Sequence, residues 1–268
     1  MKTNKFMAID ENYISEHIEN LKSLQARDGI DDLLEIPNKE FGYQNVNGCG
    51  LIDVTGCISY GASELEKTIY GDTDPHQLKD VIFEAIQDPE IDSLVINFDS
   101  PGGYTTHVLE TAEFIFEARN HIPIIGMTTG MSCSASMWLQ SACTASYASP
   151  TATIGSVAVY AVYHDLTEYH KKIGVEPIVI KAGTLKGANV EGTALSEAQK
   201  ENIQNGVNTL YGLFASSMRK YRGDIDDEVL QGQSFLGIEG VENGLIDSTA
   251  SLEQAILDAQ ALGKLFKK

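Results

Sequence analysis

The stretch Leu94-Val95-Ile96-Asn97-Phe98-Asp99-Ser100-Pro101-Gly102-Gly103 decides how this chain is read. Leu94 to Phe98 is a short apolar run suited to a strand buried on both faces. Asp99 to Gly103 is then a loop, and a helical pattern follows through Val108, Ala112, Ile115 and Ala118. The same strand–loop–helix order recurs downstream, where Pro123 to Met127 reads as a buried strand and about Ala135 to Cys143 as a small-residue helix. Ile154 to Tyr160 and Val175 to Ile180 read as further strands. Upstream, Leu51 to Ser59 reads as a strand, and Asp74 caps a helix with Pro75 in its first turn, running to about Gln87. This alternation over 50–180 predicts an α/β domain with largely parallel strands.

Beyond that core, Ser196 and Gln199 form a capping box. The helix behind it carries Ile203, Val207, Leu210, Phe214, Met218 and Tyr221 at spacings of three and four. Leu252 to Lys268 reads as an amphipathic helix, with Lys264, Lys267 and Lys268 at the negative end of its dipole. Residues 1–45 are polar and acidic and form an arm, in which Asp10 to Gln25 is a predicted amphipathic helix. The expected organisation is therefore an arm at 1–45, a main domain at 46–250 and a C-terminal helix at 251–268.

The chain has 268 residues, enough to bury a core without a disulfide or a metal. It carries 19 Lys and Arg against 38 Asp and Glu, a net charge of −19, which repels phosphate backbones and anionic lipid. No nucleic-acid or membrane partner is expected. No apolar run approaches the roughly 20 residues that span a bilayer, and Met1 to Tyr13 has no apolar stretch of a secretory signal. Cys49, Cys57, Cys133 and Cys143 include no C-x-x-C pair and no histidine at ligand spacing, so reduced, mostly buried thiols are expected, with no metal or cofactor. A cytoplasmic location is the expectation.

Two loops stand where parallel α/β sheets bind ligands, at the carboxyl edge of the strands. In the first, Pro101 fixes one φ angle, and Gly102 and Gly103 let amide hydrogens face outward beside a helix start. An ordinary strand-to-helix turn has the same composition. In the second, Gly130-Met131-Ser132-Cys133-Ser134-Ala135-Ser136-Met137-Trp138, small residues surround a serine at a helix N-terminus with free amides beside it. A packing helix with a serine cap fits equally, and Cys133 reads better as a small hydrophobe than as a nucleophile.

A serine nucleophile needs a base. His164, in Tyr163-His164-Asp165, is the best-placed histidine. Lys186, in Ala182-Gly183-Thr184-Leu185-Lys186-Gly187, is the alternative. With a reference pKa near 10.4, only about one lysine in 2,500 is neutral at pH 7, and lowering that value by about three units takes roughly 4 kcal/mol. No acid lies nearer to Lys186 along the chain than Glu191, and Ser156 is a candidate hydroxyl to orient its amine.

Five motifs in order now carry a resemblance. Val95 to Gly103 is one, Ser132 to Leu139 the second, Pro150 to Val157 the third and Gly183 to Lys186 the fourth. The last is Phe235-Leu236-Gly237 through Gly244-Leu245-Ile246-Asp247, and Met7 to Glu11 adds a match in the arm. The chain resembles the signal peptide peptidase A (SppA) family of serine peptidases, and within it the short bacteriophage head-maturation (prohead) protease branch. The resemblance implies a Clp protease/crotonase-like spiral of ββα units. It implies Ser134 as nucleophile, Lys186 as general base 52 residues later, and Ser156 holding the lysine amine. The amides of Gly102 or Gly103, with that of Ala135, form the implied oxyanion hole. It further implies a homo-oligomer with sites at subunit interfaces, acting on protein or peptide substrates such as scaffold or capsid proteins. Ser132, Cys133, Ser136 and Met137 depart from the small residues and aromatic usual there, and leave Ser132 and Ser136 as rival hydroxyls. Other readings are a bacterial cytosolic peptidase degrading signal or other peptides, a Ser134–His164 enzyme, a crotonase-type acyl-CoA enzyme, and an inactive structural protein of the same fold.

Overall fold

The computed structural model describes residues 7–9, 41–63, 67 and 70–266. In chain order its elements are β1 (Met7–Ile9), β2 (Tyr43–Val46), β3 (Cys49–Ile58), α1 (Pro75–Gln87), β4 (Ser93–Tyr104), α2 (Val108–Ala118), β5 (Ile124–Cys133), α3 (Ala135–Ser141), β6 (Ala145–Ala148) and β7 (Thr153–Gly155). There follow α4 (Thr167–Lys172), α5 (Glu197–Arg222), β8 (Ser234–Leu236), α6 (Gly237–Glu242), β9 (Ser248–Thr249) and α7 (Leu252–Phe266). The strands form one sheet with the central order β2-β3-β4-β5-β6-β9. From β3 to β9 neighbouring strands run parallel, as the alternation predicted. β2 is an antiparallel edge, β1 pairs antiparallel with the end of β4, and β7 pairs parallel with the end of β5 and antiparallel with β8.

Local chemistry explains the boundaries. Asp74 accepts from the His76 amide at 2.8 Å and Pro75 opens α1, whose Leu78, Val81, Ile82 and Ala85 are buried at three- and four-residue spacing. In β4, Leu94, Val95, Ile96 and Phe98 are all fully buried because both faces are covered. Ile96 and Phe98 join the core that includes α1, α2 and α3, while Val95, Ile125 and Met127 pack against Ala255 and Ala259 of α7. Gly263 of α7 lies so close to the sheet that a Cβ there would sit 2.6 Å from the Asp92 carbonyl oxygen.

Several expectations need correction. β4 does not end at Phe98; it runs through the glycine pair to Tyr104, and α2 starts only at Val108, after His107 in a left-handed conformation (φ 63°). The helix dipole therefore does not open directly onto Gly102 and Gly103. The strand expected over Ile154–Tyr160 is only Thr153–Gly155, because Gly155 (φ 108°) and Ser156 (φ 51°) turn the chain out of the sheet. Val175–Ile180 is not a strand: among the described residues it has no ladder partner, and Ile178 and Ile180 are 86% and 96% exposed. A β-prone run becomes a strand only when a neighbouring edge supplies its hydrogen bonds. The helix expected over Asp10–Gln25 lies outside the described residues, as do Lys267 and Lys268 of the C-terminal helix.

Candidate active site

Ser134 sits where β5 stops and α3 begins. The register pairs Cys133 with Gly155, and one residue on the Ser134 amide donates to the Gly155 carbonyl at 2.8 Å. Its own carbonyl accepts from the Trp138 amide at 2.9 Å, so one residue belongs to the sheet ladder and to the helix at once. The backbone manages this only at φ 55°, ψ −118°, a region in which a side chain costs about 1–3 kcal/mol. Trp138, one turn into α3, stacks on Phe214 of α5 with centroids 4.4 Å apart and planes 5° from parallel. That contact fixes the rotation of the short helix. Ala135, first in α3, keeps its amide outside the helical ladder, beside the Ser134 hydroxyl.

The rival hydroxyls are accounted for. Ser132 and Ser136 are fully buried and their oxygens lie 3.0 Å from each other. Cys133 is buried, with its sulfur 3.9 Å from the Thr153 carbonyl oxygen, as expected of a small core residue. Ser100 is also structural: its hydroxyl donates to the Gly56 carbonyl at 2.6 Å and accepts from the Gly102 amide at 3.2 Å. Gly103 runs so close to β3 that a Cβ would sit 2.1 Å from the Ile58 carbonyl oxygen, so no side chain fits. Asp99 accepts from the Met131 amide at 3.1 Å and locks the two strand ends together just before the serine.

Ser156 follows Gly155 directly and so lies beside Ser134 across the parallel register. It is half-buried, its amide donates to the Gln233 carbonyl at 2.8 Å, and among the described residues its hydroxyl has no hydrogen-bond partner. The Ser134 hydroxyl donates to the Ala158 carbonyl, at a long 3.4 Å.

Within one chain Lys186 makes no hydrogen bond to Ser134 or Ser156. Its side chain is exposed, and its amine makes no hydrogen bond or ion pair with a described residue. Its backbone, however, is held. The Lys186 amide donates to Gly183 at 3.3 Å, Gly187 takes φ 83°, and the buried Gln199 side chain donates to the Leu185 and Lys186 carbonyls at 3.3 Å each. Glu191, the nearest acid in sequence, faces the His170 ring at 3.5 Å. Gln199 reads from sequence as a cap; its grip on the Lys186 loop has no sequence signal. His164 is exposed and makes no hydrogen bond to Ser134. Asp165, its would-be partner, instead accepts from the Thr167 hydroxyl and amide at 2.6 and 3.0 Å, bonds that hold its carboxyl below the usual range. Among the described residues no cluster of His, Cys, Asp and Glu could hold a metal, and no helix is long and apolar enough to cross a membrane.

Comparison with known proteins bears on this arrangement. Residues 117–265 match the model of peptidase family S49. The chain is 26% identical over 216 residues to the head-tail preconnector protein GP5 of Enterobacteria phage P21, covering 80% of this chain and 43% of that one. It is 26% identical over 222 residues to the capsid assembly protease C of Escherichia phage lambda, covering 82% and 50%, and 26% identical over 219 residues to protease 4 of Salmonella typhi, covering 80% and 34%. The chain thus spans half or less of the length of these relatives. Among solved structures, a membrane-bound stomatin-specific protease aligns at a TM-score of 0.46 with 15% identity, covering 81% of this chain and 86% of that one. A crotonase-type enoyl-CoA hydratase/isomerase from Legionella pneumophila aligns at 0.46 with 11% identity, covering 82% and 73%. The matched region contains Ser134, Ala135, Ser156 and Lys186, and the chain belongs to peptidase family S49.

Proposed function

We propose that this chain is a serine endopeptidase in which Ser134 of one copy works with Lys186 of a neighbouring copy. The observation that carries this reading is the strained serine at the β5–α3 junction, set beside an unpartnered Ser156 hydroxyl and a free first-turn amide. Among the described residues no histidine, lysine or carboxylate hydrogen-bonds the Ser134 hydroxyl. The Lys186 loop, for its part, is exposed and follows an uncovered apolar run: Ile173, Val175, Ile178, Val179, Ile180 and Leu185 are 38–96% exposed. So much apolar surface on one segment is characteristic of an interface. A second copy covering it would also desolvate Lys186, which favours the neutral amine.

In this mechanism neutral Lys186 accepts the Ser134 proton as Oγ attacks the peptide carbonyl, with the Ser156 hydroxyl orienting the amine. The developing oxyanion receives the Ala135 amide and that of Gly103, or that of Gly102 once it parts from the Ser100 hydroxyl; one such donor is typically worth about 3 kcal/mol. Protonated Lys186 passes its proton to the leaving amine, and water resolves the acyl-enzyme. The substrates are scaffold or head proteins of a phage capsid, a reading supported by the names of the two phage relatives.

Hydrolysis of casein and labelling by a fluorophosphonate test the reading. Wild type is expected to turn over and label at Ser134, Ser134→Ala to do neither, and Lys186→Ala to lose turnover. Full turnover in either variant removes that residue from the mechanism.

A further inference from the structure

The last residues of β4 are paired on both sides. One side is β3, with Cys57 opposite Gly102 and Ile58 opposite Gly103. The other side belongs to β5 as far as the Ser100–Ser132 pair. There β5 parts from β4 and pairs on with β7 towards Ser134, and from Gly102 the vacated edge of β4 is taken by β1, antiparallel, with Ile9 opposite Gly102, Ala8 opposite Gly103 and Met7 opposite Tyr104.

This edge is the strip of backbone beside the serine. A peptide presented to Ser134 in extended form has to pair somewhere along it, since strand addition to an exposed edge is the general way a sheet holds an extended peptide. The edge is already filled by the chain itself. Ser134 is 1% exposed in this arrangement. We infer that β1 is an internal occupant of the peptide-binding edge, which must leave before a substrate strand can pair with Gly102–Tyr104. This rests on the peptidase reading above and adds a regulatory contact to it: β1 competes, in cis, with extended peptide.

The test uses the full chain with cysteines at two positions directly opposed in the β1–β4 register, Met7→Cys and Tyr104→Cys, the arrangement a cross-strand disulfide needs. Oxidised, this protein is expected to lose at least tenfold in casein turnover and in fluorophosphonate labelling of Ser134, and to regain both with dithiothreitol. A second variant, Ala8→Pro, removes a backbone donor from the strand; an occupant that only competes predicts a KM for a peptide substrate at least fivefold lower, with kcat unchanged. Turnover indifferent to the disulfide, or a wild-type KM in Ala8→Pro, overturns the inference and leaves the peptidase reading standing. Absence of hydrolysis and labelling in every form, wild type included, overturns both.

Discussion

Gln199 and Lys186 are joined: the Gln199 amide nitrogen donates to the Lys186 carbonyl oxygen at 3.3 Å, and equally to that of Leu185. The same side chain accepts from the Ser196 amide at 3.0 Å and so caps α5. One buried residue therefore ties the start of a 26-residue helix to the loop that carries the proposed base. Ser196→Ala removes the cap and the hydroxyl's 3.2 Å bond to Gln199 Oε1 but leaves the Ser196 amide bond and both carbonyl contacts of Gln199, and is expected to cost about 1 kcal/mol of stability with turnover little changed. Gln199→Ala is expected to cost a similar amount and also to lower kcat about tenfold, because a misplaced base loses near-attack geometry. Denaturation midpoints and casein kinetics of the two variants separate the effects.

The strain at Ser134 gives a second prediction. At φ 55° an alanine is as uncomfortable as a serine, whereas glycine is not. Ser134→Gly is expected to be more stable than Ser134→Ala by about 1 kcal/mol in chemical denaturation, with both variants inactive. Equal stabilities would mean that the backbone there is unstrained.

Acid sensitivity should trace partly to the β2 edge. The Tyr43 hydroxyl donates to Asp88 at 2.7 Å and holds its carboxyl below the usual range, helped by the Glu90 amide. A depressed carboxylate stabilises the fold above its unfolded pKa, about 3.9, and that contribution is lost as pH falls through the lower folded value. Tyr43→Phe is therefore expected to lower the melting temperature at pH 6, with the gap to wild type closing in strong acid. Thermal melts across pH 2–7 check this; a gap that widens on acidification contradicts the sign.

The thiols are expected to separate by burial. Cys143 is fully buried and its pKa is pushed up to about 12 by burial, against the opposing pull of Arg222 and Arg119. Cys57 is half-buried. Since the thiolate is the reactive form, iodoacetamide at pH 8 should modify Cys57 first and leave Cys143 until the protein unfolds. Peptide mass mapping reads the order.

What the sequence disclosed follows from how local each signal is. The cap at Asp74, the box at Ser196 and Gln199, and the apolar run of β4 are short-range patterns, and they appear where expected. The short strands β6, β8 and β9 are two to four residues long and exist only because a neighbour pairs with them, so no periodicity marks them. Val175–Ile180 shows the converse, strand composition with no ladder partner among the described residues. At the site, the sequence placed Ser134, Ala135 and Ser156 on segments that the β5–β7 register brings side by side. The pairing of β1 with Gly102–Tyr104 and the Gln199 tie join residues nearly 95 and 13 positions apart, beyond any local pattern.

If each site draws its serine and its lysine from different copies, two inactive variants will complement one another when mixed. Ser134→Ala and Lys186→Ala, unfolded together and reassembled, should each be dead alone, yet the mixture should recover about a quarter of wild-type casein turnover, the fraction of sites that receive both intact groups by random pairing. A mixture as inactive as its components, in an assembly shown to contain both chains, would place the two groups in one chain or remove Lys186 from the chemistry.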